Sequence, residues 1–148
     1  PQGPDAGPWN SKLRYGSLGF QYDSVQYWFE RPIATQQTAW SFVAQMRGYE
    51  GANAGGIFWF GVDDAATSLY VPMYSSITAV PECFQEGNGD LYTYSPTSAW
   101  WTYNIVANWA YSKYSAMLPD IQKVQSAWED KFNAQVEAID AQVAVMDN

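Results

Sequence analysis

The strongest intrinsic nucleophile in this chain is its single cysteine, Cys83, set in the run VPECF, and the sequence contains no histidine at all. A thiol acts through its thiolate, which needs a neighbouring base or positive charge to form near neutral pH. Without histidine, the Ser-His-Asp and Cys-His arrangements are excluded, as is every histidine-containing zinc site. Glu82 and Glu86 flank Cys83 and oppose ionisation, so an ordinary semi-buried cysteine is the preferred reading over a catalytic one. A lone cysteine also makes neither an intrachain disulfide nor a thiolate metal cluster, so it says nothing of redox compartment.

The next candidates are charged. Asp63 and Asp64 close the run IFWFGVDD, where strand-end carboxylates could hold a cation or polarise a substrate amine. Turn chemistry, with aspartate side chains accepting from backbone amides at AAT, is the competing and commoner role. The spacing lacks the alternating carboxylates of a calcium loop, and no metal or other cofactor is expected. Arg31 is one of only three arginines and precedes Pro32. An arginine beside a pocket fixes a carboxylate bidentately or stabilises developing negative charge, and a surface pairing with Glu30 is the alternative. Pro1 opens a PQGP arm, which argues against its amine serving as a base.

These residues must be positioned by a chain of 148 residues with 47% hydrophobic, 18% aromatic and 15% charged composition, which excludes intrinsic disorder and suits one domain. A formal net charge of -8 disfavours nucleic acid and anionic membranes as partners. No window is long and apolar enough to span a bilayer, and PQGPDAG lacks the features of a signal peptide. Any such signal is expected upstream, leaving localisation open.

Residues 1–14, rich in Pro and Gly, read as an extended arm, and GSLGFQYDSVQYWFER as a loop or short strand. Helix formers with Trp40, Val43, Ala44 and Arg47 at spacings of three and four predict a short helix over 36–47, stopped by Gly48. IFWFGVDD and SLYVPMYSSI predict a β-hairpin whose second strand, carrying Pro72, lies at an edge or bulge. TAVPECFQEGNGDLYTY reads as a loop. Ser95-Pro96-Thr97 predicts the start of a helix running from 96 to 117 and ended by Pro119, with Trp101, Ile105, Trp109 and Tyr111 in its apolar stripe. From Asp120, apolar residues at 121, 124, 128, 132, 136, 139, 143 and 146 predict a second helix, roughly 40 Å long.

The segments ERPIATQQTAWSFVAQMR, GGIFWFGVDDAATSLYVPMY, TAVPECF, NGDLYTYSPTSAWWTYNIVANWAY and MLPDIQKVQ, in this order over residues 27–125, resemble the C-terminal part of dipeptidase A-type cysteine peptidases, the family related to secernins. That resemblance implies an α+β fold, part of the four-layer αββα sandwich of N-terminal-nucleophile hydrolases, with antiparallel sheets between helices. It implies hydrolysis of short peptides by a mature N-terminal cysteine whose own α-amino group takes the proton. Residue 1 here is proline and Cys83 lies mid-chain, so the nucleophile and most of the first sheet are expected upstream, in another part of the same protein. On this reading 1–148 is the C-terminal portion of one hydrolase domain, divided into the arm 1–14, a helix and hairpin region 15–94 and a helical region 95–148. Taken alone it is expected to be inactive and to leave one inner sheet face uncovered. By position, Arg31 resembles the arginine that related bile-salt hydrolases and penicillin acylases hold near the nucleophile, an auxiliary catalytic role, with Gln37 and Thr38 as substrate-pocket residues.

The competing class is a non-enzymatic module that offers an aromatic surface to glycans or a protein, which predicts exposed Trp and Tyr in one large patch. The partners expected on the first reading are a short peptide substrate and the upstream part of the chain, with a homo-oligomer possible.

Overall fold

A computed structural model describes residues 8–11, 19–28 and 34–146. Two strands, β1 (Gly19–Tyr22) and β2 (Val25–Trp28), form an antiparallel hairpin in which Tyr22 pairs with Val25. Asp23 and Ser24 make its turn with φ of 48° and 63°. Positive φ at both central residues gives the turn a twist that matches the right-handed twist of the strands. The loop-or-strand reading of this run thus resolves into a hairpin.

Three further strands build the main sheet in the order β3-β4-β5, antiparallel throughout: β3 (Trp40–Met46), β4 (Gly56–Val62) and β5 (Val71–Tyr74). The β4–β5 hairpin agrees with expectation, and Pro72 sits on an edge strand, where its missing N–H costs no ladder bond. The helix predicted over 36–47 is corrected. Trp40–Met46 is a strand, paired residue for residue with β4 from Trp40↔Val62 to Met46↔Gly56. In WSFVAQM the apolar residues Trp40, Phe42, Ala44 and Met46 also alternate with period two, and pairing with the β-branched and aromatic β4 decides between the two periodicities.

A short helix α1 (Gly51–Ala54) links β3 to β4, and two helices complete the chain, α2 (Ala99–Ser112) and α3 (Tyr114–Met146). Pro96 and Thr97 lie in a turn before α2, and Ser98, in extended conformation, is its N-cap. The break expected at Pro119 falls instead at Lys113, with φ -144° and ψ 55°, and Pro119 lies inside α3. Pro119 is the sixth residue of α3, so the helix continues through it at the loss of the one bond its N–H would make to the Ser115 carbonyl. The carbonyl of Trp9 receives the Ser115 N–H at 2.9 Å, so residues 8–11 dock at the α2–α3 joint.

The core at that joint is Ala107, Ala110, Tyr111 and Tyr114, joined by Met117, Leu118 and Ile121. Trp109, expected in the buried stripe of α2, is exposed. In α3 the predicted stripe is used in part: Val136 is buried, whereas Val124, Trp128, Ile139 and Met146 are exposed. The far end of α3 is fixed to the sheet by one buried ion pair. Arg47, just after β3, binds Asp140 through both terminal nitrogens and donates to Ala54 O at 2.6 Å. Tyr74 at the end of β5 donates its hydroxyl to Asp140 Oδ1 at 2.8 Å. Among the described residues no helix is long and apolar enough to cross a membrane. The observed architecture is α+β, with antiparallel sheets and two main helices.

Candidate functional site

The chain turns back at the end of β4 into the loop 63–70, and two carboxylates meet there. Asp63 is 5% exposed and Asp64 fully buried. Asp63 has φ of +66°, a left-handed conformation that aspartate adopts more readily than most residues. Its N–H donates to Ala39 O at 2.8 Å, which ties it to the segment before β3. Oδ1 accepts from Asn104 Nδ2 at 3.2 Å, while Oδ2 has no hydrogen-bond partner among the described residues. Burial pushes the Asp63 carboxyl above the ordinary carboxylate range, against the pull of hydrogen bonds from Asn104 and the Asp64 backbone.

Asp64 has the turn role weighed against metal binding: Oδ1 accepts the Ala66 N–H at 3.0 Å. Oδ2 accepts the Tyr111 hydroxyl at 2.9 Å. Burial and then the Asp64 charge push the Tyr111 phenol far above its ordinary range, so it remains a donor. From α3, Gln125 Nε2 donates to Ser68 O at 2.6 Å and Ala66 O at 3.2 Å. The loop is therefore held from both helices. Among the described residues no group of three or more metal-ligating side chains is assembled.

The sequence candidates fall in different places. Arg31 lies outside the described residues. Gln37, exposed, and Thr38, half-buried, belong to the turn Thr35–Thr38, closed by Thr38 N–H donating to Thr35 O at 2.9 Å. That turn leads directly into Ala39, so the structure brings the Gln37 and Thr38 backbone up to Asp63. Cys83 is half-buried in a single helical turn, Glu82–Phe84, and burial followed by the Glu82 charge raises its thiol above the ordinary range. It is not an activated nucleophile. Asn104 and Gln125, which hold the aspartate loop, escaped sequence reasoning. The available signal was the spacing of Asn104, Ala107 and Tyr111, which places a polar anchor on the buried stripe of α2.

The second feature is the sheet face formed by Trp40, Phe42, Ala44 and Met46 of β3 with Phe58, Phe60 and Val62 of β4, since directly paired residues share a face. Its rings form a continuous row: Trp40–Phe42 at 5.7 Å, Phe42–Phe58 at 4.8 Å and Phe58–Phe60 at 5.5 Å, with Phe84 edge-on to Phe60 at 5.6 Å. Trp40, Phe42 and Met46 are 56%, 48% and 83% exposed, unusual for residues of this size in one cluster. An apolar groove of about 470 Å³ lies between β5 and α3, lined by Pro72, Met73, Ile77, Phe132 and Ile139, and neither aspartate lines it.

Fold and site together describe an α+β chain with a supported carboxylate loop and a cysteine unsuited to catalysis. The model for peptidase family C69 matches residues 8–127. The chain belongs to that family, the dipeptidase A and secernin-related cysteine peptidases. Comparison with curated proteins and with solved structures gives no significant match. Family membership supports a peptide hydrolase of the cysteine type.

Proposed function

We propose that these 148 residues are the C-terminal part of a cysteine dipeptidase whose nucleophile is an N-terminal cysteine on a segment outside them. The observation that carries this reading is the exposed aromatic row on β3 and β4. A sheet face of large apolar rings is stabilised by a second layer, and the four-layer αββα sandwich provides one as a facing sheet. Cys83 fits the same reading, since a half-buried thiol beside Glu82 leaves the nucleophile to be found elsewhere.

In the proposed reaction the upstream thiol passes its proton to the chain's own α-amine and its sulfur attacks the carbonyl carbon of the scissile bond. The C–N bond then breaks, the leaving amine takes that proton, and a thioester remains. Water, activated by the same amine, attacks the thioester carbonyl, breaks the C–S bond and releases the acid. Arg31 is assigned a helper role in orienting the site or pairing with the substrate carboxylate, with Gln37 and Thr38 as pocket residues. The exposed rings also fit a binding module, but family membership favours hydrolysis.

The test is intact-mass analysis and N-terminal sequencing of the purified gene product, followed by dipeptide hydrolysis. A polypeptide beginning with cysteine, and activity that survives C83A but not loss of that first cysteine, are expected. A gene product confined to these residues, or activity abolished by C83A alone, would overturn the reading.

A further inference from the structure

The loop that joins the helical turn Glu82–Phe84 to α2 is exposed over most of its length, yet side-chain hydrogen bonds tie it throughout. Asn88 Oδ1 accepts from Ser95 Oγ at 2.6 Å and from Thr97 Oγ1 at 3.1 Å, and its amide nitrogen donates to Glu82 O at 2.9 Å. Asp90 Oδ1 accepts the Tyr92 and Thr93 N–H groups, both at 2.8 Å. From α2, Trp101 Nε1 donates to Asp90 O at 3.2 Å and to Thr93 O at 3.1 Å. Gly89, at φ of 82°, lets the backbone lie against that indole, because a Cβ there would stand 3.1 Å from Ser95 Cβ and 3.2 Å from Trp101 Cδ1. A loop pre-organised in this way without being buried suits recognition.

Between this loop and the start of α2 lies a surface cavity of about 190 Å³, walled by Leu91, Trp100 and Trp101 and carrying the polar side chains of Asp90 and Ser98. The two indoles meet at 82° with centroids 5.0 Å apart. They form a corner, not the flat platform on which a sugar ring stacks. Ser98 is 7% exposed, and its hydroxyl makes no capping hydrogen bond to α2. Asp90 is exposed and is the one charged residue lining the cavity among those described. Hydrogen bonds from Tyr92 and Thr93 hold its carboxyl below the ordinary carboxylate range, and with Oδ1 committed to them, Oδ2 faces other donors.

Aromatic faces beside a fixed negative charge attract a cation, and apolar walls favour one carried on a hydrocarbon stem. We propose that this cavity receives a basic side chain of a bound peptide, the ammonium of a lysine or the guanidinium of an arginine, with Asp90 Oδ2 as its counter-charge and Trp100 and Trp101 against its stem. The proposal does not depend on the peptidase reading, since it concerns binding and its readout needs no hydrolysis.

The experiment titrates the complete gene product with N-acetyl-lysine methylamide, its norleucine counterpart, which lacks the amine, and its Nε-acetyl derivative, which lacks the charge, following the tryptophan indole signals by NMR. The lysine compound is expected to bind about 10-fold more tightly than either uncharged one. Asp90→Asn keeps an Oδ1 acceptor for the Tyr92 and Thr93 amides, so it should leave Tm unchanged while bringing the three affinities together. Trp100→Leu should weaken the lysine compound, with Trp101 left in place to hold the loop. Equal binding of the three compounds by the wild type, or no binding of the lysine compound, overturns the proposal without touching the peptidase reading. So does a D90N protein that keeps its preference for the cation. Should D90N melt lower, the Nε-acetyl comparison on the wild type decides by itself, because there the charge is removed from the ligand.

Discussion

The aspartate loop and the aromatic sheet face lie at neighbouring ends of the same strands and follow opposite rules. In the loop, polar groups are buried and, Asp63 Oδ2 and Ser68 Oγ apart, mostly matched, with partners drawn from α2 and α3. On the face, large apolar rings touch one another and water, covered only where Phe84 meets Phe60. Apolarity without burial marks a place prepared for protein. One strand, β4, thus ends in a buried carboxylate loop and carries exposed aromatic rings along its length.

The sharpest way to test this contrast is at Tyr111, which is core and polar anchor at once. Tyr111→Ala is expected to destabilise the chain by about 3–5 kcal/mol in denaturant titration, combining a cavity with an orphaned Asp64 oxygen. Tyr111→Phe, which removes only the hydroxyl, should cost about 1–3 kcal/mol. Arg47→Ala comes next, at about 3 kcal/mol, the low end for a broken buried pair because Asp140 keeps some access to water. At the other extreme, Phe42→Ser on the exposed face should cost this chain about 1 kcal/mol, the scale of its ring contacts with Trp40 and Phe58. The same change should weaken its association with the rest of the enzyme, read by co-purification. Equal destabilisation by Phe42→Ser and Tyr111→Ala would erase the distinction between the regions.

The two regions should also part company with pH. Arg47 hydrogen bonding holds the Asp140 carboxyl below the ordinary carboxylate range. That contribution is present above the unfolded value and is lost as the pH falls through the folded one, so acid weakens the α3 clamp. Asp63 has the opposite sign. Its raised carboxyl favours the fold below the ordinary carboxylate range, and this is lost as the pH rises through the folded value. Denaturation midpoints from pH 3 to 7 should therefore show a shallower acid loss in D140N than in wild type. D63N should gain most at the neutral end.

Much of the fold was legible, and the exceptions share a cause. The β4–β5 hairpin announced itself through aromatic and β-branched runs, and edge Pro72 followed from proline chemistry alone. The long C-terminal helix was visible in its spacing. Residues 36–47 deceived because WSFVAQM satisfies both the helical and the strand period, and only a partner 10 to 22 residues away along the chain, from Met46↔Gly56 to Trp40↔Val62, resolves it. Lys113 could not be foreseen as the helix break, since no glycine or proline marks it. At the site, Asp63 and Asp64 were identifiable as a pair but not as unequal partners. Their difference lies in Asn104 and Tyr111, contributed by an element some 40 residues on, and sequence distance hides such contacts.

The Arg47–Asp140 pair closes a span of 93 positions, which gives it a place in time as well as in space. Loop closure over such a span is entropically expensive, and it is repaid only once β3, β5 and α3 already exist. Residues 128–146 should consequently be the last part of this chain to lock and the first to let go. Backbone amides there should exchange with solvent well before those of the α2–α3 joint. A protease given brief access to the native protein would trim α3 from its far end and stop near the joint.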